Sequence, residues 1–250
     1  MCLIWFSYEN TPDFRLLLAA NRDEFFARAT TPLAWRGGIL AGWDEEGGGT
    51  WLGVNRLGQL AALTNYRDPS RQRPNPPSRG AIITNYLRSG QLAATFLREF
   101  QQQADHYNPF NLLLFDGREM LFFSNAEGRI KPVAPGIHAL SNRFLDTDWP
   151  KTRRIKELLA PVTAGQKSVE EFFAALADRR QPADEELPTT GVGIEWERLL
   201  APVFIVSDNY GTRSSAVVTI DERGRLDFYE RSYQHRDGGA HSGGDRHVRW

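Results

Sequence analysis

Chemistry in this chain starts at its second residue. The sequence opens MCLIWFSYEN, and Cys2 is the only cysteine in 250 residues. A small second residue lets methionine aminopeptidase remove Met1, after which Cys2 carries a thiol and a free α-amine. That amine titrates at about 7.7–8.0, close to neutrality. It can take the thiol proton, directly or through a water, and later return it to a leaving group. One residue then serves as nucleophile and general base, and no histidine partner is needed. His106, His138, His235, His241 and His247 stand in no Cys–His protease context. The plainer reading of Cys2 is a small buried hydrophobe at the start of an edge strand.

A second cluster follows at Asn21, Arg22, Asp23 and Glu24. An amide, a guanidinium and two carboxylates at a strand end could orient the amine, hold a thiolate or bind a substrate carboxylate. The same four residues also suit a turn with an Arg22 ion pair and Asx caps. Polar punctuation ends other apolar runs in LTNYRDP (Asn65, Tyr66), LSNRF (Asn142, Arg143) and NYGTRSS (Asn209, Tyr210, Arg213). Each alone reads as a turn or cap. Together they are amides and arginines that strands could bring to one rim, and amide N–H donors are what an oxyanion hole requires.

The elements that must position these residues follow from periodicity. CLIWFSY (2–8) and FRLLLAA (14–20) read as paired strands joined by a loop in ENTPD. GGILAGWD, TWLGVN and QLAALTNY read as an antiparallel meander with NRLG as a tight turn. RDPSRQRPNPPSRG is a Pro- and Arg-rich loop. Residues 80–102 show helical spacing broken at Gly90. NLLLFD, EMLFFSN and GIHALS read as strands. WPKTRRIKELLAPV and SVEEFFAALADRR read as helices, the second opened by a Ser168–Glu171 capping box. PVFIVSD and SSAVVTIDERGRLDFYERSY return to strands, with a hairpin at DERGR. Helix pairs set between runs of antiparallel strands give an α+β layered architecture. Residues 1–233 read as a single domain, and the Gly-rich polar tail 234–250 as disordered or loosely attached.

Composition bounds the function. Thirty Lys and Arg balance 31 Asp and Glu, a formal net charge of −1, which argues against a nucleic-acid or anionic-membrane footprint. One cysteine excludes an internal disulfide and a Cys-rich metal site, and no metal set is expected. No signal peptide or membrane span is visible, so the cytoplasm is the expected location. There is no GxGxxG, Walker loop or HExxH.

MCLIWF, LLLAANRDEFFARAT, GGTWLGVNRLGQLAALTNYRDP, GIHALSNRFLDTDWPKT and DNYGTRSSAVVTID together resemble the NRDE family, of the transport-and-Golgi-organisation type. The likeness runs from residue 1 to about 233. That family is similar in fold to N-terminal nucleophile hydrolases of the penicillin V acylase and bile salt hydrolase branch. The resemblance therefore implies a four-layer αββα sandwich of two mostly antiparallel sheets. It places Cys2 at the nucleophile, Asn65 at an oxyanion-hole position, Asn142 at a catalytic asparagine and Arg213 at a late active-site arginine. Arg22 and Asp23 fall at an arginine–aspartate pair that in those enzymes is separated by two residues and is adjacent here. Asp23 would hold the α-ammonium, while Arg22 and Arg213 would lower the thiol pKa. Asn21, Glu24, Trp51, Tyr66 and Tyr210 complete the expected site as substrate contacts.

The implied reaction is hydrolysis or acyl transfer on a linear amide or thioester, with an acyl-amide or acyl-CoA as the small-molecule partner and no resident cofactor. Family ties to haem trafficking and acyl-CoA or lipid homeostasis imply a non-catalytic alternative. In it an accessible Cys2 thiolate ligates haem as cargo, with His138 or a tail histidine assisting. Neither reading fixes the oligomeric state.

Overall fold

A computed structural model describes residues 2–161, 168–236 and 238–250. Met1, whose removal the sequence reading turns on, lies outside the described residues, as do Val162 at the end of the first expected C-terminal-half helix and Asp237 in the tail. The architecture is α+β, built on two antiparallel sheets. The chain divides into two compact units: Met1–Ala27, Pro135–Ser141 and Leu145–Trp250 form one, and Arg28–Ala134 with Asn142–Phe144 forms the other.

In the first unit the strands are β1 (Cys2–Tyr8), β2 (Phe14–Phe25), β10 (Gly136–Leu140), β11 (Tyr210–Asp221), β12 (Leu226–Arg236) and β13 (Gly239–Arg249). They lie in the order β10-β1-β2-β11-β12-β13. Central strands β1 and β2 are apolar on both faces, so CLIWFSY and LLLAA read as continuous rather than alternating runs. Helices α3 (Pro150–Leu159) and α4 (Val169–Leu176) cover one face. There Leu3, Trp5, Leu17, Ala19 and Val217 pack with Ile155, Leu159, Phe172, Phe173 and Leu176. The capping box opens α4 as the sequence requires, with Ser168 N donating to Glu171 Oε2 at 2.9 Å.

The second unit is a seven-strand meander in sequence order. Its strands are β3 (Thr30–Arg36), β4 (Ile39–Asp44), β5 (Leu52–Asn55), β6 (Leu60–Asn65), β7 (Phe110–Phe115), β8 (Met120–Ser124) and β9 (Arg129–Pro132). The β5–β6 turn closes at NRLG, where Gly58 takes φ +76° and donates to Asn55 O. Helices α1 (Gly80–Ser89) and α2 (Ala93–Phe100) sit on one face, separated by Gly90 in the left-handed region. Ile82, Ile83, Tyr86, Leu87, Leu97 and Phe100 bury against Ile39, Trp43, Leu63, Leu112 and Phe123.

Several expectations are corrected. β2 does not end before NRDE but runs through it to Phe25, because β11 pairs with Asn21–Phe25 and satisfies that backbone. PVFIVSD is not a strand; only Val206 forms a bridge, to Gly211. The tail is not loose. Residues 239–249 form β13, which periodicity misses because side chains of opposite charge hold it instead of apolar ones. Arg231 bridges Asp245 at 2.7 Å, Asp227 holds His247 and Arg249 at 2.6 and 2.7 Å, and His247 lies flat on Tyr229 with ring centroids 3.9 Å apart. Strands β3 and β9 and helix α5 (Ile194–Leu200) are short and mix apolar with polar residues, and are visible only in the structure. Among the described residues no helix is long and apolar enough to cross a membrane.

Candidate active site

The register of β1 against β2 sets Cys2 opposite Arg22 and Leu3 opposite Asn21. Side chains alternate faces along a strand, and directly opposed residues share a face. Leu3 and Trp5 lie on the helix-covered face. Asn21 and Asp23 therefore point toward the helices, while Cys2 and Arg22 point to the other face. The residues expected to surround one thiol are divided between two sides of β2.

On the thiol side, Cys2 is 7% exposed. Burial pushes its pKa up to about 11; the Asp23 charge raises it further and Arg22 opposes both. Arg22 lowers this pKa as expected, but desolvation outweighs the guanidinium. Ser141 Oγ donates to Cys2 O at 3.2 Å and fixes the start of β1. Arg213 donates from Nη1 to Phe25 O and Phe26 O, both at 2.9 Å. Its pKa is lowered by burial and by the like charge of Arg22, while Glu24 opposes the shift.

On the helix side, Asn21 is completely buried. Its Nδ2 donates to Leu176 O and Val203 O at 2.9 Å each, and its Oδ1 accepts from Ser215 Oγ at 2.6 Å. Asn21 ties α4 and the 200–205 segment to the sheet, so the substrate role expected for it is corrected to a structural one. Asp23 is also buried and accepts from Thr212 Oγ1 at 2.8 Å. Burial raises its pKa, and the Lys151 charge and the Thr212 hydrogen bond pull it back. Lys151, on α3, is only 3% exposed. Glu24 is half-buried and accepts from Phe25 N at 3.0 Å. Tyr210 is buried against the rings of Phe25 and Trp196.

The second unit brings Asn65, Tyr66 and Asn142 together. Asn65 ends β6, and Asn142 Nδ2 donates to its carbonyl at 2.9 Å. Arg67 N donates to Asn142 O at 2.8 Å and Arg67 Nη2 to Asn142 Oδ1 at 3.4 Å. The Tyr66 ring meets Phe144 at a tilt, centroids 5.0 Å apart, and carries the Arg143 guanidinium 4.9 Å from its own centroid. Trp51 is half-buried, and its carbonyl accepts from Leu63 N at 2.7 Å. His138, the expected assistant ligand, is engaged by Asp146 through Nδ1 at 2.6 Å and stacks on Phe6.

Sequence reasoning missed Thr212, Lys151, Ser215 and Arg67. Thr212 and Ser215 stand inside the quoted NYGTRSS, and their hydroxyls drew no notice beside the arginine. Lys151 follows the helix-opening Pro150 and reads as a surface cation. Only the packing reveals that it is buried.

A family model described as Transport and Golgi organisation 2 matches residues 1–235. The mouse Transport and Golgi organization 2 homolog is 31% identical, over 95% of this chain and 95% of its own. The cattle homolog is 34% identical, over 93% of each. Among solved structures, a mutant conjugated bile acid hydrolase from Clostridium perfringens aligns with 11% identity and a TM-score of 0.48, over 100% of this chain and 96% of that one. The family model's span and whole-length matches above 30% identity show that this chain belongs to the Transport and Golgi organisation 2 family.

Proposed function

We propose that the chain, once freed of Met1, is a cysteine N-terminal nucleophile enzyme, an amidohydrolase or acyltransferase acting on a small linear amide or thioester in the cytoplasm. The observation that carries this reading is the start of β1. Cys2 is the first residue of the strand, its thiol shares a face with Arg22, and Asp23 lies one residue beyond its cross-strand partner. Loss of one residue would create an α-amine at that point.

In the proposed reaction the α-amine accepts the Cys2 proton and the thiolate attacks the carbonyl carbon. A C–S bond forms, and the carbonyl π pair moves to oxygen. Collapse of the tetrahedral species expels the amine or thiol, which takes its proton from the α-ammonium. Water, deprotonated by the same amine, then releases the acyl group from the thioester. The family resemblance assigns oxyanion donation to Asn65 and Asn142. Removal of one such donor costs about 2.7–4 kcal/mol of the barrier, or 10²–10³ in rate.

One observation favours a second reading. A thiol pushed up to about 11 is protonated at neutral pH, as in a buried structural cysteine. On that reading the family fold carries haem, acyl-CoA or a lipid without catalysis. Intact mass of the purified chain followed by turnover on acyl-amide and acyl-CoA panels separates the two. The enzyme reading expects loss of Met1 and no turnover in Cys2→Ala. A chain that keeps Met1, or turnover that survives Cys2→Ala, refutes it.

A further inference from the structure

The ladder between β2 and β11 is irregular at two places, between Ile220 and Asp221 and between Thr212 and Ser214, and the second lies at Asp23. Ser214 pairs with Arg22 and Ser215 with Asn21, yet Asp23 pairs with Thr212. Arg213 is the extra residue of a β-bulge. Had the register continued evenly, Arg213 would stand opposite Asp23. The bulge replaces a guanidinium with a hydroxyl at that position and sends the Arg213 side chain to Phe25 O and Phe26 O.

The hydroxyl has little choice of direction. Ile205 N donates to Thr212 Oγ1 at 2.9 Å, so the oxygen is already an acceptor there. Its single proton goes to Asp23 Oδ1 at 2.8 Å. The Thr212 backbone is held on both sides: its N donates to Ile205 O at 2.9 Å, and its carbonyl meets His235 Nε2 at 2.7 Å. His235 in turn stacks on Phe26, with ring centroids 4.1 Å apart. Gly211 makes the close approach possible, since a Cβ there would stand 2.6 Å from Ile205 O. Thr212 is fully buried, so no water competes for its proton.

We propose that Thr212 is a positioning residue, whose hydroxyl aims the Asp23 carboxylate at the α-amine of Cys2. The inference rests on the reading of Cys2 as an N-terminal nucleophile. The charges facing Asp23 are Lys151 from α3, the amino-terminal charge of the unprocessed chain and Glu24 on its own strand. Lys151 and Thr212 act in the same direction, favouring the carboxylate over the neutral acid. An aimed, ionised carboxylate stabilises the α-ammonium, so its loss makes the amine a weaker base.

The test uses full-length chain freed of Met1, as checked by intact mass, with p-nitrophenyl acetate as the acylating probe. The readouts are the burst of nitrophenolate and acetylation of Cys2 by mass, both followed against pH. Cys2→Ala is expected to abolish the burst. Thr212→Val, close to isosteric, is expected to move the acid limb of the pH profile about one unit lower, and Thr212→Ser to restore it. Lys151→Met is expected to move the limb the same way, and serves should Thr212→Val not fold. Coincident limbs for wild type, Thr212→Val and Lys151→Met, with the burst still lost in Cys2→Ala, overturn the positioning role alone. Equal shifts in Thr212→Val and Thr212→Ser overturn it too, because the hydroxyl is then irrelevant. A burst that survives Cys2→Ala overturns the nucleophile reading and the positioning role together.

Discussion

The ionisation of Cys2 gives the sharpest quantitative expectation. Its thiol pKa is pushed up to about 11 by burial. At pH 7.5 such a thiol is about 0.03% thiolate, against about 10% for a free cysteine of pKa ~8.5. The difference is about 300-fold in the reactive species. A more basic thiolate is also a better nucleophile, and a Brønsted slope of about 0.4–0.5 returns roughly tenfold over this span. The net expectation is alkylation some 20- to 30-fold slower than in a small thiol, before any further slowing by restricted access. Cys2 is the only cysteine, so iodoacetamide adducts counted by intact mass report on it alone. In chain that retains Met1, the rate should climb about tenfold per pH unit from pH 7 to 10. Guanidinium chloride should bring it to the small-thiol value. A midpoint below pH 8 in the folded, unprocessed chain would mean that Arg22 outweighs desolvation, and the reasoning would be wrong.

Other consequences are open to measurement. Asn21→Leu keeps the volume but takes the amide donor from two buried carbonyls; at about 1–3 kcal/mol each it should cost about 2–6 kcal/mol, read as a lower urea midpoint. Gly211→Ala places a methyl 2.6 Å from Ile205 O and should destabilise by about 1–3 kcal/mol in the same assay. Burial alone would raise the Asp146 pKa, but hydrogen bonds from His138, Lys156 and Ala139 N outweigh it and hold it at about 2. A depressed carboxylate stabilises the fold above its unfolded pKa of about 3.9, and that stability is lost as pH falls toward 2. Asp146 is solvent-exposed, so the contribution is screened to about 1 kcal/mol, and the stability gap between wild type and Asp146→Asn should close between pH 4 and pH 2.

What the sequence discloses here depends on where burial leaves its mark. Both helix pairs and the central strands are legible because their apolar periodicity is strong, and Gly90 and the Ser168–Glu171 pair punctuate them at the right places. β13 is illegible for the opposite reason. Apart from Ala240 and Val248 its residues are Gly, Ser, His, Asp and Arg, and its stability comes from charge pairs with β12 that no single-strand pattern displays. α5 and β9 are short and half-polar, so neither has a period long enough to read. In the candidate site, residue types were legible but their directions were not. NRDE advertises an amide, a cation and two anions; whether they converge depends on whether the segment is a turn or a strand. The hydrogen-bonded partner that decides this, β11, lies nearly two hundred residues away. Lys151 and Thr212 were invisible because a buried lysine and an exposed one are the same letter.

The even pleat of β2 through Asn21–Glu24 has one more consequence. Because successive residues look in opposite directions, the four-letter motif is two interleaved messages. Asn21 and Asp23 speak to the helices and the amino terminus, while Arg22 speaks to the sulfur. An adjacent Arg–Asp pair and one separated by two residues have the same parity, so either spacing sends the two charges to opposite sides. Inserting a single residue between Arg22 and Asp23 would instead put both charges on one side of the sheet.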